Sequence, residues 1–173
     1  MTPRTTRPCP AVNSEARTRG GALVPIADQD RSRWDERQLT AGRISLRRAL
    51  ALAGCGPYVV QALLADQHTG TPPDWLAIGV LYGQLSRLTG SPVVELNRAV
   101  AVAEIEGPVV ALDIVNGLGL EDYRYTHSTR ADLLRRLGRR DEAIAAYRRA
   151  QALTTSNAEQ RLLERRLAEL SAP

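Results

Sequence analysis

The sequence predicts an all-α fold in which about eight helices stack as antiparallel hairpins, with no sheet of three or more strands. Apolar residues recur at helical spacing along most of the chain, and Gly and Pro interrupt them at regular intervals. Hydrophobic residues make up 43% of the 173 residues, but aromatic residues only 4%, and Phe is absent. The core must therefore consist mainly of Leu, Val and Ala, which favours packed helices over a β-sandwich.

Charge and cysteine content narrow the class of protein. All 23 basic residues are Arg, and they are interleaved with 19 acids to give a net charge of +4. This mixture is typical of a solvated helical surface, so we expect no specific DNA binding by this chain alone.

Cys9 and Cys55 lack zinc spacing, which favours a reduced, cytoplasmic protein. The sequence predicts no secretory signal and no membrane segment, because no apolar run approaches the roughly 20 residues that a membrane helix needs.

The N-terminal part divides into a tail and the start of the helical domain. Residues 1–20 are rich in Arg, Thr, Pro and Gly without periodicity, and we expect a disordered tail there. Residues 21–173 form the predicted helical domain. Its first segment, Ala22 to Ala27, is broken by Pro25 and is expected to lie extended on a helical surface. A helix is then predicted from near Asp35 to Ala53, with a buried side formed by Leu39, Leu46, Leu50 and Ala53.

The segment DQDRSRWD, from Asp28 to Asp35, concentrates charge and one Trp directly before this helix. A structural interpretation has Asp and Ser capping the helix, Arg–Asp pairs bracing the turn, and Trp34 anchoring it to the core. A functional interpretation is a docking surface, since Trp and Arg dominate interface hot spots. A calcium loop is not expected, because Arg33 and Leu39 occupy positions that need Gly and Glu.

The middle of the chain contains four predicted helices. Pro57 opens one with Tyr58, Val59, Ala62 and Leu63 facing inward, and His68 near its end is expected to have a solvent or helix-dipole role. Asp74 caps the next, in which Gly79 and Gly83 allow close helix packing and Gly90 ends the helix. The other two begin at Pro92 and Pro108. Inward positions are predicted at Trp75, Ile78, Leu81, Tyr82, Leu85 and Leu88, and then at Leu96, Ala99, Val100 and Ala103.

The segment from Arg130 to Leu153 predicts two short helices joined at Gly138. Its small and aromatic residues resemble those of a tetratricopeptide (TPR) hairpin, at Ala131, Leu134, Gly138, Ala143, Tyr147 and Ala150. A weaker copy runs from Asn97 to Leu118, with Gly107 in the place of Gly138. Ser156 and Glu159 form a capping box before a last helix whose polar face suits the end of a stack. Together these features predict a TPR-like stack, in which neighbouring hairpins cover one another.

Four segments, DQDRSRWD, GPYVVQALLA, SPVVELNRAVAVAEIEGP and RADLLRRLGRRDEAIAAYRRA, together resemble the C-terminal extension of certain bacterial extracytoplasmic-function (ECF) RNA polymerase sigma factors. The resemblance runs from Glu15 to Leu170. In that family a TPR-like extension follows sigma regions two and four and acts on the sigma core. No segment here resembles either region, so the chain is expected not to recognise promoters alone. The resemblance implies a protein partner, a sigma core or RNA polymerase, and these protein-binding residues: Asp28, Asp30, Arg31, Trp34, Asp35, Tyr58 and Asn97.

Two other functions remain open from the sequence. One is a stand-alone TPR adaptor unrelated to transcription. The other is an enzyme, but the sequence has no GxSxG, HExxH, phosphate-loop or dinucleotide motif, and His68 and His127 are isolated. We therefore expect no catalytic residue, no cofactor and no metal site.

Overall fold

A computed structural model describes residues 18–19, 22–24, 26–52 and 56–171 of the chain. The described residues contain eight α-helices, two short 3-10 turns and one two-stranded ladder, which confirms the predicted all-α stack of hairpins. The helices are α1 (Glu36–Ala51), α2 (Pro57–Gln67), α3 (Trp75–Thr89), α4 (Pro92–Ile105), α5 (Pro108–Asn116), α6 (Arg124–Arg136), α7 (Arg140–Ala152) and α8 (Asn157–Ser171).

The segment before α1 begins as a short strand pair and continues through the 3-10 turns Ile26–Asp28 and Arg31–Arg33. Strand β1 (Thr18–Arg19) pairs antiparallel with β2 (Ala22–Leu23), and β2 lies against α8. Ala22–Leu23 agrees with the predicted extended segment on a helical surface, although it pairs as a strand, whereas the end of that segment belongs to the 3-10 turn Ile26–Asp28. Most of the predicted tail, residues 1–17 and 20, lies outside the described residues, as do Cys9 and Cys55.

Local capping signals account for several helix ends. Asp35 Oδ1 accepts hydrogen bonds from the backbone N–H groups of Arg37 (3.0 Å) and Gln38 (3.1 Å), and so begins α1. Asp74 Oδ1 accepts one from the N–H of Ala77 (2.9 Å) at the start of α3. The α3 helix ends at Gly90 with φ of 60°, a left-handed conformation that costs a glycine little.

Each helix packs mainly on its neighbours in sequence, and α4 also contacts α6. Two clusters of buried apolar residues result, one within α2 to α4 and a larger one within α4 to α8. Helix α4 contributes to both, because Ala101 lies in the first while Leu96 and Ala99 lie in the second. The close approach of α4 to α3 depends on Gly79, where a Cβ would come within 3.1 Å of Ile105 Cδ1.

The α6–α7 hairpin has the predicted arrangement. Gly138 adopts a φ of 72° between the two helices, and Ala143 and Ala150 are buried. Tyr147 is 3% exposed, which confirms that it fills the space between these helices. The capping box before α8 is weak, because the N–H of Glu159 lies 3.5 Å from Ser156 Oγ.

The predicted inward face of α2 is wrong. Tyr58 is 83% exposed and Ala62 is exposed, whereas Val60 and Leu64 are the buried residues. The cause is the composition of the helix, because apolar residues occur on almost every side of PYVVQALLA and the spacing alone does not define one face.

The prediction that a residue faces inward is also wrong at three further positions, Leu50, Leu88 and Val100. Leu50 is 44% exposed and Leu88 52% exposed because they stand at the edges of a groove between α1, α2 and α3. Val100 is partly exposed because it lines a second groove. Ala53, which was also predicted to face inward, lies outside the described residues.

Candidate functional site

The DQDRSRWD turn is held against the loop that follows α2. Its second 3-10 turn, Arg31–Arg33, is capped by Asp30, whose Oδ1 accepts hydrogen bonds from Ser32 N (3.1 Å) and Ser32 Oγ (2.6 Å). Trp34 is buried and packs with Leu39. Trp34 therefore anchors the turn to the start of α1 and not to the core, because it belongs to neither of the two larger clusters.

Arg31 points into the protein. Its guanidinium donates hydrogen bonds to the backbone carbonyl oxygens of Thr69 and of Gly70, the latter at 3.1 Å, and lies 4.8 Å from the ring centroid of Trp34. These contacts fix the turn to a loop 38 residues further along the chain. Arg31 thus has a structural role in this arrangement, and the surface that the turn presents is formed by its acids together with Ser32 and Arg33.

The other predicted protein-binding residues lie on the turn, on α2 and on α4. Asp28 and Asp35 are exposed on the turn, Tyr58 is exposed on the first turn of α2, and Asn97 is exposed on α4. The residues of the turn therefore lie together, while Tyr58 and Asn97 belong to other parts of the surface.

A groove that none of the predicted protein-binding residues lines lies across α4 and α6, which begin two successive hairpins, and α8, which follows them. It has a volume of about 310 Å³. Along each helix its lining residues are spaced at intervals of four, a pattern that repeat alignment could have detected. The lining comprises Val100, Ala103, Glu104, Ser128, Thr129, Asp132, Leu133, Arg136, Tyr147, Leu162, Leu163 and Arg166.

Charged side chains and an apolar floor share this groove. Arg136 pairs with Glu104 at 2.7 Å and also donates a hydrogen bond to the carbonyl oxygen of Ala103 at 3.0 Å. Asp132 pairs with Arg135 at 2.9 Å and accepts a hydrogen bond from the Tyr147 hydroxyl at 3.3 Å. Burial, reinforced by the charge of Asp132, raises the pKa of Tyr147 to about 12, so its hydroxyl stays protonated at neutral pH.

A polar cluster holds the start of α8 against the start of α6. Glu159 accepts hydrogen bonds from Arg124 Nε (2.7 Å), the Tyr125 hydroxyl (2.7 Å) and Thr154 Oγ1 (2.8 Å). Burial alone would raise the pKa of Glu159, but these hydrogen bonds and the charge of Arg124 outweigh it and lower the pKa. The cluster therefore favours an ionised carboxylate that joins two helices.

The two histidines occupy structural positions. The Nε2–H of His127 donates a hydrogen bond to the carbonyl oxygen of Glu121 at 2.8 Å, and the ring is buried in α6. His68 ends α2, its ring lies 6.4 Å from that of Tyr82, and burial lowers its pKa. In the part of the chain that the structure describes, no group of three or more His, Cys, Asp or Glu residues could hold a metal ion. No helix there is long and apolar enough to cross a membrane.

Comparison with known proteins finds a longer relative that matches most of this chain. The chain is 41% identical over 169 residues to an uncharacterized protein of Rhizobium meliloti (strain 1021). The match covers 92% of this chain and 40% of that protein, so the chain spans less than half of the relative's length. No family model matches the chain. No solved structure matches it.

Proposed function

We propose that this chain is a cytoplasmic protein-interaction domain with the regulatory role of an ECF sigma-factor extension, acting on a sigma core or RNA polymerase. The observation that carries the proposal is the groove across α4, α6 and α8, where an apolar floor lies beside charged residues. A helical stack with such a groove suits a peptide segment, because apolar anchors give affinity and charged groups at the edge set specificity.

Two further observations support the link to transcription. The four sequence segments that resemble the ECF extension lie in the turn before α1 and in α2, α4, α6 and α7 of the stack. The chain also matches only part of a longer relative. The proposal therefore expects sigma regions two and four in the part of that relative outside the match. A stand-alone adaptor would use the same groove, but would have no such regions beside it.

Direct binding tests the proposal. Isothermal titration calorimetry would measure association between the purified chain and a separately expressed sigma core from the same organism. Arg136→Ala should weaken association about tenfold, a change of roughly 1.4 kcal/mol, because the ligand would lose a cationic partner and meet an unpaired Glu104 instead. Arg139→Ala is the matched control, since Arg139 also forms a 2.7 Å ion pair, with Glu142, but does not line the groove.

Two outcomes would contradict the proposal, one for the transcriptional role and one for the groove as the binding site. No heat of binding to the sigma core or to RNA polymerase would refute the transcriptional role. Binding that Arg136→Ala and Arg139→Ala weaken equally would mean that the groove is not the interaction site.

A further inference from the structure

A second groove lies at the N-terminal end of the stack, between α1, α2 and α3. It has a volume of about 360 Å³ and is lined by Leu50, Val59, Val60, Leu63, Gln84, Arg87 and Leu88. The Leu50 and Leu88 side chains are both substantially exposed at its edges. Five of the seven lining residues are apolar, so water in this groove contacts mostly hydrocarbon, and displacing it with apolar side chains is favourable.

The helices around this groove are basic. Helices α1, α2 and α3 contain five arginines but only two acids, Glu36 and Asp66. Asp66 is already paired with Arg43 at 2.7 Å. Arg87 lines the groove, and Arg47 lies three residues before Leu50, which makes the two neighbours on the α1 surface. An occupant of this groove therefore meets apolar walls beside positive charge.

The rest of the stack has a different charge pattern. Residues 92–171 contain twelve arginines and twelve acids, and many of them form ion pairs, such as Arg98–Glu95, Arg124–Glu159 and Arg136–Glu104. Counted over the helices alone, α4 to α8 contain eleven arginines and nine acids, so the feature particular to the N-terminal groove is that Arg87 lines it and no described acid does.

We propose that the groove between α1, α2 and α3 docks an acidic amphipathic helix of a partner protein. Leucine-type side chains at helical spacing would enter between Leu50, Leu63 and Leu88, while carboxylates on the flanks would approach Arg47 and Arg87. A second copy of this chain is a poorer occupant, because it would bring the same arginines face to face. The surface is separate from the groove across α4, α6 and α8, so this inference does not depend on a sigma-core partner.

The test uses the full chain and two fluorescein-labelled synthetic peptides of about five helical turns. Both carry Leu at one helical face, and the opposite face carries Glu in one peptide and Lys in the other. Fluorescence anisotropy at low ionic strength should show the Glu peptide binding at least about tenfold more tightly than the Lys peptide. Equal binding of the two peptides, or no binding of the Glu peptide, would overturn the proposal.

Matched variants locate the site. Leu88→Gln should weaken binding of the Glu peptide about tenfold, while Val109→Gln should leave it unchanged, since Val109 is similarly exposed but lies on α5. Arg87→Glu should weaken binding, while Arg148→Glu on the exposed surface of α7 should not. Arg87→Glu and Arg148→Glu both change exposed residues, so the comparison between them decides the test even if Leu88→Gln impairs folding. Equal losses in groove and control variants would refute the assignment.

Two additional measurements test whether a second copy of this chain or a membrane surface occupies the groove instead. Analytical ultracentrifugation that reveals a dimer, which Arg87→Glu or Leu88→Gln converts to monomer, would assign the groove to a second copy and overturn the proposal. Co-sedimentation with phosphatidylserine vesicles that requires Leu88 and Arg87, without binding of the Glu peptide, would instead assign it to a membrane surface.

Discussion

Replacing Arg31 by Ala tests whether the DQDRSRWD turn is fixed from within the protein. The guanidinium contributes two hydrogen bonds to backbone carbonyl oxygens and a cation–π contact with Trp34. Hydrogen bonds from a charged group are worth about 1.5–3 kcal/mol each, and the ring contact about 0.5–1 kcal/mol. Ordering the long side chain costs up to about 2 kcal/mol. The net loss expected for Arg31→Ala is therefore about 1.5–5 kcal/mol.

The loss should appear first at the N-terminal end of the stack. Arg31 and Arg43 bind the loop after α2, whereas the larger buried cluster lies within α4 to α8. Hydrogen–deuterium exchange should therefore show amides of α1 exchanging at least about tenfold faster in Arg31→Ala, with α6 and α7 almost unchanged.

Arg33→Ala is the matched control, because Arg33 belongs to the same turn and is exposed. It should change the free energy of unfolding by no more than about 0.5 kcal/mol. Arg31→Lys should restore only part of the protection, since an ammonium group cannot reproduce the planar fork that spans two carbonyl groups. Protection of α1 in Arg31→Ala equal to that in Arg33→Ala would refute the structural role of Arg31.

Three further predictions concern the stability of the stack and its binding to DNA. Tyr147→Ala should lower the free energy of unfolding by about 3–5 kcal/mol in denaturant titration, and a loss below about 1 kcal/mol would contradict the buried position. Glu159, whose pKa is lowered in the folded state, should contribute stability above its unfolded pKa of about 4.3, and that contribution should disappear as the pH falls through the folded pKa. Glu159→Gln should flatten this acid limb in urea titrations at several pH values, and an unaltered limb would exclude the carboxylate as its source. In gel-shift assays the chain should show no sequence-specific, salt-resistant binding to promoter DNA.

The sequence allowed prediction of the elements whose ends carry a strong local signal. Asp35 and Asp74 begin their helices, Gly90 and Gly138 follow theirs with positive φ, and Pro57 opens α2. Each of these residues acts on the backbone within one turn of itself, so its effect does not depend on the rest of the fold.

Features that depend on distant parts of the chain were not predictable in this way. The contact of Arg31 with the Thr69 and Gly70 carbonyl groups joins two loops that are far apart in sequence. Leu88 follows a helical period, yet the groove leaves it exposed, because periodicity gives a face of the helix and not what covers that face.

None of the residues that the sequence predicted as protein-binding lines the groove across α4, α6 and α8. The likeness to ECF extensions pointed to the turn, whose residues are already neighbours in the sequence, and to Tyr58 and Asn97, which lie on other parts of the surface. The groove across α4, α6 and α8 is formed by positions such as Glu104, Asp132 and Arg136, which look like ordinary surface charges in the sequence. Only the stacking of successive hairpins places them along one surface.

The two proposed binding surfaces should differ in their response to salt. In the groove across α4, α6 and α8, charges such as Arg136 and Asp132 already have partners within the chain. A ligand there would exchange one ion pair for another, so its net electrostatic gain is small. Around the groove between α1, α2 and α3, arginines outnumber acids, and attraction of an acidic helix is largely a new interaction that salt screens. Association at the N-terminal groove should therefore weaken more steeply with ionic strength, and this difference would distinguish the two surfaces in a single protein.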